Sequence, residues 1–387
     1  MRITLLECKR MTGRMVLLGF LAFVLIASFY DCRRNLTRYS VELGMRWKEH
    51  LAEARKVSEG LYLDRECLEN LREDANWYGC LNRENIMELV RSNYEGKTLE
   101  ELSDEELGRF FQTRIRTIHE NLMQDAEKGY TDEEIENFMD KAEALPVLSM
   151  GYAEGWKALG ETMGKFVFLL VIVISALVLQ LFGRDPSVQM EEMVRSSRYG
   201  KRQLDRARVR AAYLTATALY VCGMAVYAVI VMWPFGFDGA GQPIQSNVRT
   251  FYSLCNLTYI QQFLWNLFLG YVALLFMVSL ALVITIFLKG ILASGSVIAM
   301  FMVMLVIFNQ MDLYPVNHWF TNFMPARMTD FWHFYVENEL YRIYGFHISC
   351  MSFSVTVSLL LSGGLLAAGF TALHMYRKKG ISCLQAV

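Results

Sequence analysis

Gly96-Lys97-Thr98, inside "NYEGKTLEE", is the stretch that comes nearest to a nucleotide site, because a glycine followed by lysine and a hydroxyl residue can cradle phosphates. The complete cradle reads G-x-x-x-x-G-K-[ST] and follows an apolar strand. Position 91 is Arg91 rather than glycine, and no apolar run leads in, so this reading gives the chain no ATP site of its own. Neither HExxH nor GxSxG occurs, which removes the usual zinc-peptidase and serine-hydrolase signatures. His318, His333 and His347 share one stretch, but intervals of about fifteen residues fit no familiar metal-ligand spacing. They are expected to be side chains at a membrane–water interface. The eight cysteines are scattered with no CxxC. Cys67 and Cys80 could pair or could be small apolar filler, and spacing does not decide between the two. The chain is therefore expected to be no enzyme, with neither a metal nor a cofactor held on it.

The elements that would position these residues are mostly apolar. Of 387 residues, 54% are hydrophobic, and they are clumped into runs at 15–30, 166–182, 211–233, 263–288, 291–308 and 352–375. A helix rises about 1.5 Å per residue and must cross about 30 Å of hydrocarbon, so a span needs about 20 residues. Four runs come near or exceed that length. The runs at 15–30 and 166–182 suffice with flanking residues that snorkel. The expected fold is an all-α integral membrane protein of six transmembrane helices. The first run leaves through "LIASFYDCRRN", which has no small-x-small cleavage site, so an uncleaved first helix is expected rather than a signal peptide. Ionisable residues are nearly absent from the runs, whose polar members are Gln180, Thr215, Thr217, Asn266, Ser294 and Ser296. A proton- or sodium-coupled carrier would be expected to retain an acid there.

The net charge of −1 conceals segregation. Residues 31–162 hold eighteen Lys and Arg against twenty-nine Asp and Glu, whereas Arg184–Arg210 holds eight basic and four acidic residues. Arg2, Lys9, Arg10 and Arg14 face only Glu7 before the first run, and Arg377, Lys378 and Lys379 follow the last. Lys- and Arg-rich loops remain cytoplasmic. The N-terminus, the 184–210 loop and the C-terminus are thus expected inside, and residues 31–162 outside, in a cell-membrane protein.

Residues 31–162 read as a helical domain inserted between the first two spans. Thr98-x-x-Glu101, Ser103-x-x-Glu106 and Thr131-x-x-Glu134 have the form of capping boxes. The first two are so close that at most one of them can open a long helix. Leu107, Phe111, Ile115, Ile118 and Leu122 then form an amphipathic stripe. Pro315 and Pro325 interrupt the aromatic stretch of about 312–348, between the fifth and sixth spans, and short interfacial helices are expected there. The division is then 1–30 (N-terminal elbow and first span), 31–162 (extracellular domain) and 163–387 (spans two to six).

Between the second and third spans, "RDPSVQMEEMVRSSRYGKR" has Asp185 as N-cap and Pro186 as first helical residue, with acids early and arginines late. A short helix over about 185–199 is expected, with Val188, Met193 and Val194 as its apolar patch and Gly200 ending it. Such a helix is either a positive-inside anchor or a grip for a partner, and these residues alone favour neither.

The stretch resembles the permease subunits of type-two ATP-binding cassette (ABC) exporters. That family carries an acid after the second span, a short helix, a motif like S-S-x-Y-G-[RK]-x-x-L and a basic residue opening the third span. Here these read Asp185, Ser196-Ser197-Arg198-Tyr199-Gly200-Lys201-Arg202-Gln203-Leu204 and Arg208. Glu7-Cys8-Lys9-Arg10 resembles the family's E-x-K-[KR] elbow. The acid is Asp where Glu is usual, Arg208 stands for a lysine, and Asp205 and Arg206 occupy positions that are commonly apolar. The resemblance implies an exporter permease, paired with itself or a sister permease. A separate cytoplasmic ATPase would hold ATP and Mg²⁺ and grip a coupling helix through Asp185, Val188, Met193, Val194, Arg195 and Arg202. The acidic outer domain would suit a cationic amphiphile. A membrane sensor with a ligand-binding outer domain, or an ion-coupled carrier, is the alternative.

Overall fold

The computed structural model describes residues 2–384 except 59, 75–78, 126–127, 146, 183–199, 289 and 312. Six helices are long and apolar enough to cross a membrane. They are α2 (Arg14–Leu43), α9 (Glu154–Val178), α10 (Gly200–Met232), α11 (Tyr259–Leu288), α12 (Ile291–Gln310) and α15 (Cys350–Leu384). Two two-stranded sheets are the only sheets among the described residues. The protein is thus a predominantly helical chain of the multi-pass membrane type.

Helix α11 is the centre of the bundle and packs against α9, α10, α12 and α15. Its closest approach is at Gly270, where a Cβ would lie 2.4 Å from Tyr220 Oη and 2.6 Å from Val167 Cγ1, so only glycine fits. Several neutral polar groups within the bundle satisfy one another, as an apolar surround favours. Tyr213 Oη and Ser279 Oγ are 2.6 Å apart, Thr217 Oγ1 and Tyr271 Oη 3.0 Å, and Tyr335 Oη donates to Asn266 Oδ1 at 2.6 Å.

The first two spans are longer than their apolar runs. Helix α2 continues through "DCRRNLTRYSVEL" because Ser28, Cys32, Asn35 and Tyr39 recur at helical spacing and are buried on one side. Helix α9 likewise begins at Glu154, well before the run at 166–182. The inserted domain therefore occupies residues 44–153, and the expected boundaries at 31 and 162 fall inside the two helices that carry it.

The domain is built from α3 (Trp47–Val57), α4 (Arg65–Glu73), α5 (Gly79–Asn93), α6 (Asp104–Gly108), α7 (Phe110–Gln124) and α8 (Asp132–Glu143). Its entry and exit meet in an antiparallel pair, β1 (Tyr62–Leu63) against β2 (Leu148–Ser149). All three capping boxes form. Thr98 opens a single 3₁₀ turn, Ser103 opens the short α6, and Thr131 opens α8. The chain bends at Arg109, and the stripe that α7 buries is Phe110, Arg114, Ile118 and Leu122, while Phe111 and Ile115 are half-buried. Cys67 is buried among Leu63, Leu68 and Leu71, and the Cys80 side chain lies outside the described residues.

Residues 233–258 are part of the domain's packing rather than a free loop. Phe251 is fully buried in the domain core, and Arg114 Nε donates to the Phe251 carbonyl at 2.8 Å with its guanidinium over the same ring. Burial pushes the Arg114 side chain down to about 10. Between α12 and α15 run a turn at Tyr314–Val316, π-helical Asn317–Thr321, α13 (Pro325–Met328) and α14 (Phe331–Val336). A hairpin of β3 (Leu340–Ile343) and β4 (Phe346–Ser349) follows, where only short helices were expected. Tyr344 and Gly345 both have positive φ, 49° and 83°, as a two-residue hairpin turn requires.

Candidate functional site

Asp185, Val188, Met193, Val194 and Arg195 lie outside the described residues, as does the Arg202 side chain, although Arg202 itself belongs to the first turn of α10. Gly200, expected to end the preceding helix, is the first described residue of α10. The frame around this segment is well defined. Leu181 and Phe182, after α9, are buried. Helix α1 (Arg2–Met11) packs along α10. Met11 is buried, Cys8 Sγ lies 3.9 Å from the Ala211 carbonyl, and the Glu7 carboxylate lies 3.4 Å from Arg10 and 3.9 Å from Arg208. The Arg208 guanidinium also stacks over the Phe182 ring at 5.4 Å. The glutamate of "ECKR" and the basic residue opening the third span thus meet, on helices far apart in sequence.

At the opposite end, a chamber of about 530 Å³ lies where α2 and α9 enter the domain. Its size is that of a small-molecule site. Glu42, Glu84, Glu88, Glu154 and Glu161 line it together with Arg38, Arg91, Lys157 and Arg249. Glu154 is the most enclosed of these. It accepts from Tyr39 Oη, from Asn85 Nδ2 at 3.1 Å and from Lys157 Nζ at 3.0 Å. Arg249 pairs with Glu161 at 3.2 Å and stacks on Trp332 at 4.5 Å. A lining that sets acids beside bases in this way can accommodate a polar or zwitterionic group. Composition and periodicity missed this site, because its acids and bases are spread over four elements that only the fold brings together.

The domain is also tied to the hairpin before α15. Arg342 grips Glu134 through Nε at 2.8 Å and Nη2 at 2.6 Å, and His347 Nδ1 lies 2.6 Å from the same carboxylate. Lys128 Nζ donates to the Glu337 carbonyl at 2.6 Å, and Tyr130 Oη to the Asn338 carbonyl at 3.0 Å. Hydrogen bonding by Arg342, then by the Thr131 backbone and His347, brings Glu134 down to about 2 against its burial. The other two histidines are buried inside the protein. His318 is buried against Glu339 and stacks on Tyr341, and His333 is 5% exposed beside Cys350, where burial first and Arg327 second hold it well below the ordinary histidine range. Of the aromatics in that stretch, Trp319 is exposed, and Tyr335 and Tyr341 are buried.

No family model matches this chain, and no curated protein or solved structure does either. The resemblance to exporter permeases rests on the sequence residues that carry it.

Proposed function

We propose that this chain is the permease subunit of an ABC exporter. It would work as a pair, with itself or a sister permease, in the cell membrane, and be powered by a cytoplasmic ATPase that holds ATP and Mg²⁺. The observation that supports this most is the meeting of Glu7 on α1 with Arg208 on α10 beside the 183–199 segment. An elbow helix joined to the root of the third span makes that root a lever, so a push on the segment between α9 and α10 moves α1, α9 and α10 together. On this reading the termini and residues 183–202 face the cytoplasm and residues 44–153 are extracellular. Asp185, Val188, Met193, Val194, Arg195 and Arg202 supply the ATPase contact.

Moving substrate against a gradient requires that the cycle bind it differently in its two states, and closure of the ATPase pair supplies that difference. The described spans carry their ionisable groups toward their ends, which argues against an ion relay through the bundle. Asp205, Arg206, Arg208 and Arg210 stand at the start of α10, and Asp31, which accepts from Tyr227 Oη at 2.8 Å, lies toward the domain. Reversing charge at Arg202 (Arg202→Glu) is expected to leave insertion intact. ATP-driven transport falls about tenfold or more, corresponding to about 1.4 kcal/mol of lost coupling contact. Undiminished transport in that variant, or purification without any ATPase, counts against the assignment.

The chamber supports a second reading, a sensor whose domain binds a polar ligand. A ligand-dependent signal that persists after the ATPase is removed favours that reading, and loss of transport on ATP depletion favours the exporter over an ion-coupled carrier.

A further inference from the structure

The stretch from α14 to α15 buries three side chains that each offer a metal ligand. His333 on α14, Glu339 just before β3 and Cys350 in the first turn of α15 are 5%, 6% and 5% exposed. Their ligating atoms all lie within 4.8 Å of one another. His333 Nε2 stands 3.5 Å from Cys350 Sγ. A nitrogen about 2.0–2.1 Å and a sulfur about 2.3 Å from one tetrahedral zinc are themselves about 3.5 Å apart, so this pair already has the spacing of two ligands on one ion.

The carboxylate is steered from behind. Glu339 Oε1 contacts His318 Nδ1, and Oε2 accepts from Asn322 Nδ2 at 2.7 Å. Asn322 Nδ2 also reaches Tyr341 Oη at 3.0 Å. A carboxylate has about four lone-pair positions, so two remain for an ion. Partners that fix a ligand's orientation in this way are the usual surround of a metal site.

Buried polar atoms around the cluster are left without a partner, His333 Nδ1 on the far side of the ring from the Nε2 that faces Cys350, and Asn322 Oδ1 behind the carboxylate. The nearby cations are engaged elsewhere, Arg327 with Glu337 at 2.9 Å and Lys128 with Asp125 at 2.9 Å. A divalent ion set against the Glu339 carboxylate and a Cys350 thiolate sums to zero charge, which a buried site requires. Thiolate with imidazole and carboxylate selects a borderline-soft ion over magnesium or calcium.

We propose that His333, Glu339 and Cys350 form a zinc-class site that staples the last apolar helix to the short helices before it. The Cys350 N–H already donates to the Glu339 carbonyl at 2.9 Å, so the ion closes a ring that the backbone has begun. Three protein ligands leave a fourth position for water or a further donor.

The test uses the full chain in detergent, stripped with chelator and titrated with Co²⁺ and then with Zn²⁺. A thiolate-to-cobalt charge-transfer band that zinc displaces, and a melting temperature that rises with zinc, are expected. Cys350→Ser removes the band while gel filtration stays monodisperse, and Asn322→Ala weakens zinc binding about 10–100-fold. Absence of the band in the wild-type chain overturns the proposal, and this needs no variant to fold. Persistence of the band in folded Cys350→Ser also overturns it, since the ion would then sit on another cysteine.

Discussion

The two ends of the helix bundle are held together on different terms. Where α2 and α9 enter the domain, Tyr39, Asn85, Glu154 and Lys157 form one enclosed network, and Arg114 and Arg342 fasten the domain to two further segments of chain. At the α1 end, the described contacts include apolar packing along α10, the Glu7 carboxylate 3.4 Å from Arg10 and 3.9 Å from the buried Arg208, and the Arg208 guanidinium over the Phe182 ring. Breaking a buried pair costs about 3–5 kcal/mol, whereas a loose or solvated one is worth about 0–1 kcal/mol. The Glu154–Lys157 pair is hydrogen-bonded at 3.0 Å while Glu7–Arg208 is buried but longer, so on the proposed reading the domain end is the stiffer of the two. On the proposed function, a force applied near the start of α10 would tilt helices about the domain end.

The most damaging test of that contrast is to strand a charge at the domain end. Glu154→Leu leaves Lys157, whose side chain is 13% exposed, without its carboxylate. Stability in detergent is expected to fall by about 3–5 kcal/mol. Adding Lys157→Met should restore much of the loss, because no lone charge then remains. A single variant that melts like wild type would remove the stiffer end from the comparison.

A milder test loosens the tie to the hairpin. Glu134→Gln keeps the shape but gives up charge-assisted bonds to Arg342, worth about 1.5–3 kcal/mol, and hydrogen exchange over β3 and β4 should quicken. The same contact sets a pH dependence. The folded value of Glu134, about 2, lies below its ordinary 4.5, so its stabilisation is complete above about 4.5 and is lost as pH falls from there toward 2. The variant should flatten thermal stability against pH in that window alone. An unchanged slope would show that Arg342 holds the hairpin by packing rather than charge.

These regions were unequally legible in the sequence. The six apolar helices could be read because hydrocarbon demands contiguous apolar residues, and the capping boxes because each is local and its two halves are three residues apart. The extension of α2 was missed, since Cys32, Asn35 and Tyr39 face the bundle from a run that is otherwise charged. Arg114 was hidden for the converse reason. A guanidinium in an amphipathic helix is expected in water, and only the carbonyls of Phe251 and Ser253, far along the chain, satisfy it inside. The hairpin did leave a signal, Tyr344-Gly345 between alternating residues, but prolines and aromatics nearby drew the reading toward helices.

The smallest effect on stability belongs to the α1 end, and there it separates structure from function. Glu7→Gln keeps the shape but leaves the buried Arg208 facing an amide, with the Phe182 ring still beneath it. It should therefore cost less than the roughly 3–5 kcal/mol of a fully stranded buried charge. If α1 is the lever arm, transport should nevertheless fall further than stability does, with insertion unchanged and ATP hydrolysis no longer matched to substrate moved. Arg208→Lys retains charge but loses the planar stack, so it should uncouple less than Glu7→Gln if the ion pair transmits the motion and more if the stack does. A Glu7→Gln chain that transports normally would mean that the α1 end carries no force through this contact, and the pivot would have to lie elsewhere.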